Sequence, residues 1–218
     1  MHNRKFPNVR APFRFLIPAA LAVALLCPAL AEASIIISIQ NVNANSPSSG
    51  NAFDVLLTNT GAGSVALGAF SFELTTADAD ITFFSATTAT TLAPYVFGSN
   101  SLFGPIISTS APGQTMDASD IFSTPNSGTT LSAGASVGLG HVFFDVAAGG
   151  AAGAKAVNIT AFPFTSLSDP SGANIPVDTA SAGTITILSA ATPEPSTLAL
   201  MLVALSMLGA ARCVRRQA

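Results

Sequence analysis

The 218-residue chain has eight basic and eleven acidic residues, two cysteines and no tryptophan, and its net charge of −3 hides an uneven distribution. From Ser34 to Thr192 nine acidic residues face one basic residue, Lys155, a formal charge of −8, while the other seven basic residues sit towards the termini. An acidic surface without arginine repels phosphate backbones, which argues against nucleic acid as a partner. Both cysteines, Cys27 and Cys213, lie in the terminal segments, so the region between them must be held by packing, for which twelve phenylalanines from Phe53 to Phe164 supply the material.

In chain order, Arg4, Lys5, Arg10 and Arg14 precede an apolar run from Phe15 to Leu30, and Ala31-Glu32-Ala33 then offers small residues at the two positions a signal peptidase reads. A bilayer span needs about 20 apolar residues; this run is shorter and is interrupted by Pro18 and Pro28. Residues 1–33 are therefore expected to be a signal peptide cut after Ala33. Leu26, before Cys27, is too large for lipoprotein processing.

Between 34 and 192 short runs rich in Ile, Val, Phe and Thr recur between clusters of Gly, Pro, Asn, Ser and Asp, the pattern of an all-β sandwich. Phe53, Val55 and Leu57 alternate with Asp54, Leu56 and Thr58, and Phe70, Phe72 and Leu74 with Ala69, Ser71 and Glu73. A period of two predicts one buried and one wet face. Val142, Phe144 and Val146, then Ile185 and Ile187, follow the same rule; Ile35–Gln40, Ile81–Ser85, Ile106–Thr109, Met116–Phe122 and Val157–Phe162 complete about nine or ten strands. Thr87–Gly104 and Ser123–Gly138 read as long loops, connectors rather than binding loops, and Ala147–Ala156 as a flexible turn.

Ser49-Gly50-Asn51-Ala52-Phe53-Asp54-Val55, Leu67-Gly68-Ala69-Phe70-Ser71-Phe72-Glu73-Leu74 and Val142-Phe143-Phe144-Asp145-Val146, with Leu167–Gly172 and Gly183–Ile187, resemble the cohesin-like, carbohydrate-binding-module-like β-sandwiches. The resemblance spans most of residues 34–188 and implies a jelly roll of about nine strands that recognises protein or polysaccharide without catalysis. It carries over no single contact residue.

Candidate chemistry is sparse. His141 and Asp145 share a strand, but the region has one histidine and no Gly-x-Ser-x-Gly elbow, so no catalytic residue is assigned. Asp78 with Asp80, and Asp117 with Asp120, are read as flanking turns; calcium needs six to eight oxygens, so neither pair is assigned a metal and no cofactor is expected. Asn158-Ile159-Thr160 matches a glycosylation triplet by chance. A polymer hydrolase would show a carboxylate pair in a cleft lined with Trp and Tyr; a calcium-dependent adhesive module is the other alternative.

From residue 191 the composition changes: Pro193-Glu194-Pro195, an apolar stretch of about 197–211, then Arg212, Arg215 and Arg216. These three parts in this order resemble the PEP-CTERM sorting signal of Gram-negative bacteria. Prolines keep the motif extended for an enzyme cleft, the short apolar stretch enters the bilayer, and the arginines hold its far end in the cytoplasm. The resemblance implies recognition of Pro193-Glu194-Pro195 by an exosortase in a system that accompanies exopolysaccharide production. The chain is thus expected to be a signal peptide, a sandwich over 34–190 and a tail over 191–218. It would meet signal peptidase, exosortase and, transiently, the inner membrane. It would end in the envelope or extracellular matrix, contacting exopolysaccharide or another surface protein.

Overall fold

The computed structural model describes residues 32–123, 128–189 and 200–205. The signal segment through Ala31, the motif Pro193-Glu194-Pro195 and the arginines 212, 215 and 216 lie outside the described residues. Residues 200–205 are helical, and among the described residues no helix is long and apolar enough to cross a membrane.

The strands are β1 Ile35–Ile39, β2 Val42–Asn45, β3 Ser48–Asn59, β4 Val65–Leu67, β5 Ala69–Thr75, β6 Ile81–Thr87, β7 Ile106–Ser110, β8 Thr115–Ile121, β9 Thr129–Leu131, β10 Ser136–Val146, β11 Gly153–Ile159, β12 Ser166–Ser168, β13 Asn174–Ile175, β14 Thr179–Ser181 and β15 Gly183–Leu188. One sheet has the order β14-β1-β3-β10-β6. The other runs β13-β12-β5-β11-β15-β2, with β8 on the opposite side of β5 and β7 beyond β8; β4 and β9 form a separate ribbon. The expected all-β sandwich is thus present, mostly antiparallel.

The alternating apolar positions create the core. Phe53, Val55 and Leu57 of β3, Phe70, Phe72 and Leu74 of β5, and Val142, Phe144 and Val146 of β10 are all buried in one cluster. Phe53 packs edge-on against Phe83 and tilted against Phe144, at centroid distances of 6.2 and 5.7 Å, separations at which ring quadrupoles attract. Gly140 lies against the Phe72 ring of the opposite sheet: a Cβ there would stand 3.4 Å from it, in ordinary contact.

The first and last strands are paired in parallel twice. β1 runs beside β14 in one sheet, with Ile36 opposite Thr179, and β2 beside β15 in the other, with Val42 opposite Ile185. Both chain segments therefore change sheet side by side, at Gln40–Asn41 and Ala182. The crossing depends on Gly183, where a Cβ would lie 2.4 Å from Ile39 Cγ2, and Asn41 Oδ1 secures it by accepting the Thr184 N–H at 2.8 Å. As the two segments are parallel, the chain enters at one pole of the sandwich, near Asn59 and Ser136, and leaves β15 at the other, near Asn45.

The described residues hold fifteen strands rather than nine or ten, several of them short, and further expectations change. Ala147–Ala156 is not wholly a turn, since Gly153 to Ala156 belong to β11 and pair with β15. Ser123–Gly138 holds β9 and the start of β10. Asp117 and Asp120 do not flank a turn; both lie within β8, three residues apart and so on opposite faces.

Candidate functional site

The two outer faces of the sandwich have different fates. On β3 and β10 the outward positions include Asp54 and His141, which are cross-strand partners. Asp54 was expected on a wet face, yet it is 0% exposed, because the loop after β6 folds down over it. Its carboxylate accepts the backbone N–H of Thr91 and of Leu92, both at 2.7 Å, the Thr91 hydroxyl at 3.0 Å, and His141 Nδ1 at 2.6 Å. Burial pushes its pKa up, but the hydrogen bonds from His141, Leu92 and Thr91 outweigh that and hold it below the ordinary carboxylate value.

The loop is clamped at a second point. Tyr95, Val96 and Phe97 are buried, and the Tyr95 hydroxyl donates at 2.6 Å to Asp120, which also accepts from the Ser101 hydroxyl at 2.5 Å. Burial, then the hydrogen bond to Asp120 and its charge, drive the Tyr95 pKa far up. Gly138 lets the loop lie flat: its N–H donates to Pro94, its carbonyl accepts from Val96, and a Cβ would sit 2.4 Å from the Thr90 side chain. The connector Thr87–Gly104 is therefore fitted down over the sheet.

His141 is thus engaged by Asp54, a partner the sequence did not suggest, while Asp145 accepts the Gly50 N–H at 2.8 Å. Asp78 is paired with Lys155, whose ammonium is 4.0 Å from Asp80. Among the described residues no group of three or more His, Cys, Asp or Glu could hold a metal. A groove of about 570 Å³ opens beside Phe162, Thr165 and Asn174, where Asp178 is already occupied by the Ile35 N–H at 2.8 Å.

The other outer face is open. Across β12, β5, β8 and β7 the outward side chains are mainly small and hydroxylic: Ser71 lies between Ser166 and Ser119, and Thr75 opposite Thr115. Ser71 and Ser166 hydroxyls meet at 2.9 Å. Glu73 stands directly opposite Asp117. Burial and then Glu73, through charge and a shared hydrogen bond, raise the Asp117 pKa. One margin carries Leu102, Phe103, Ile106 and Ile121, exposed by 44%, 69%, 57% and 43%; the Leu102 N–H donates to the Ile121 carbonyl at 2.9 Å, which ties the loop to this margin. Exposed apolar groups gathered at one margin make it a candidate contact surface. Sequence reading missed this face because residues from β7, β8 and the loop before them meet only through pairing.

The fold is a two-sheet β-sandwich of the cohesin type. It is similar to the sixth cohesin of scaffoldin B from Acetivibrio cellulolyticus, solved with a Cel5 dockerin (13% identity, TM-score 0.55, 71% of this chain and 99% of that one). The seventh ScaB type I cohesin from Pseudobacteroides cellulosolvens (13%, 0.54, 74% and 96%) and the cohesin CaCohA2 from Clostridium acetobutylicum (19%, 0.51, 72% and 93%) are similar too. No curated protein matches the chain. Residues 191–216 match the PEP-CTERM protein-sorting motif, which marks an exported protein sorted by an exosortase.

Proposed function

We propose that this is a noncatalytic surface or extracellular-matrix protein. An exosortase processes it at Pro193-Glu194-Pro195, and its sandwich then contacts another protein through the open face of β5, β8 and β7. The sorting motif at residues 191–216 is the observation that carries the delivery half of this reading. The contact half is supported by the margin of Leu102, Phe103, Ile106 and Ile121 beside Glu73 and Asp117. The similar cohesin from Acetivibrio cellulolyticus was solved with a dockerin bound, which favours a protein over a polysaccharide.

Intact-mass analysis of the envelope-associated protein tests delivery. A C-terminus near Pro195 is expected, and a mature mass that retains Arg216 would replace sorting by a plain membrane anchor. For the contact face, Phe103→Ser with Ile106→Ser should release the protein from its surface partner, whereas Phe84→Ser, on the outer face of the other sheet, should not.

A further inference from the structure

The chain contains two overlapping signal-peptidase sites, because Ala29-Leu30-Ala31 has the same small–x–small form as Ala31-Glu32-Ala33. Cleavage at the first would leave Glu32 as the mature N-terminus; cleavage at the second would leave Ser34. The sequence alone does not separate them, but only the first leaves Glu32 and Ala33 in the folded domain.

Residues 32–34 belong to the sandwich. The Glu32 carbonyl accepts the N–H of Ala62 at 3.1 Å and of Gly63 at 3.4 Å, and the Ser34 carbonyl accepts the N–H of Thr60 at 2.7 Å. Ala33 and Ser34 are half-buried, while Glu32 keeps its side chain in solvent. An independent sign is Gly61. A Cβ there would stand 2.3 Å from the Glu32 carbonyl oxygen, 2.3 Å from the Ser34 nitrogen and 2.7 Å from the Ala33 carbonyl carbon. Those are backbone atoms, which cannot swing aside, so a side chain at 61 is incompatible with this path. The turn after β3 is shaped to receive a chain that begins before Ser34.

From these contacts we infer that signal peptidase cuts between Ala31 and Glu32, two residues earlier than the Ala33 site. Water supplies the hydroxyl to the Ala31 carbonyl carbon and a proton to the Glu32 nitrogen. The mature chain then keeps the carbonyl that satisfies Ala62 and Gly63, whereas a cut after Ala33 would delete it and leave, of the three backbone atoms close to Gly61, the Ser34 nitrogen alone. The inference rests on residues 1–31 being a removable signal.

N-terminal sequencing of the full-length exported protein tests it. The expected first residue is Glu32. A start at Ser34 would overturn the inference and leave the signal-peptide reading intact; a chain retaining Met1 would overturn both. Two variants sharpen the result. Ala33→Leu blocks only the later site and should not change the first residue, whereas Ala29→Asp blocks the earlier one and should move the start to Ser34 or leave precursor. Protein starting at Ser34 should melt about 2–4 °C lower, the shift expected for losing roughly one backbone hydrogen bond in a domain of this size. Equal melting temperatures would remove the structural reason for the earlier site.

Discussion

Asp54 and Asp117 both occupy outward positions of a central strand, yet one carboxylate is sealed and the other is displayed. Asp54 is covered by the loop after β6, accepts three hydrogen bonds from Thr91 and Leu92 and a fourth from His141, and titrates below the ordinary range. Asp117 faces Glu73 across β5 and β8 and titrates above it, through burial and that neighbouring charge. The same residue type at equivalent strand positions thus does opposite work. The buried carboxylate organises the backbone around it, and the open one stores a repulsion that a cationic partner would relieve.

The contrast can be broken most strongly at Asp54. Asp54→Ala leaves the N–H groups of Thr91 and Leu92 without their acceptor, and should cost about 3 kcal/mol in urea unfolding. Next is Tyr95→Phe, which removes one hydrogen bond to Asp120 and should cost about 1.5 kcal/mol by the same measurement.

The pH dependence separates the two carboxylates by sign. Asp54 has a lowered folded pKa, so its contribution is full above the unfolded value of about 3.9 and is lost as pH falls through the folded value. Asp117 has a raised one, so the folded protein binds the extra proton and gains stability as pH falls through its raised value towards about 3.9. Thermal melts against pH should therefore show Asp117→Asn losing the mild-acid gain, and Asp54→Asn losing the steeper decline below it. A pair of profiles parallel to the wild type would show that neither carboxylate senses the fold. The smallest effect is Asp117→Asn at neutral pH. It relieves the repulsion from Glu73 at an exposed position and should raise stability by about 0.5 kcal/mol or less.

Strand interiors were legible because alternation is a local property: Phe53, Val55 and Leu57, or Phe70, Phe72 and Leu74, announce their buried face without knowledge of a partner. What escaped was decided at a distance. β10 begins at Ser136, but Gly138, Leu139 and Gly140 break the alternation, because a register shift lies there and Gly138 must admit the loop. Gly153-Ala154-Lys155-Ala156 has too little apolar content to read as a strand and owes its conformation to pairing with β15. Asp54 looked like a solvent-facing residue because its cover arrives about 37 residues later in the chain. The candidate face was illegible for the same reason: Glu73 and Asp117 are far apart in sequence and become opposed only through the register of β5 and β8.

The parallel running of the first and last strand pairs has a mechanical consequence. A domain whose terminal strands were antiparallel neighbours would return its C-terminus to the pole where it began. Here the exit at Leu188 is at the far pole, next to Asn45, so the chain enters and leaves the domain at opposite ends. The pole bearing Asn59 and Ser136 is separated from that exit by the length of the 11-residue β10, about 35 Å. The spacing between the two ends of the domain is in this sense set by its own strands.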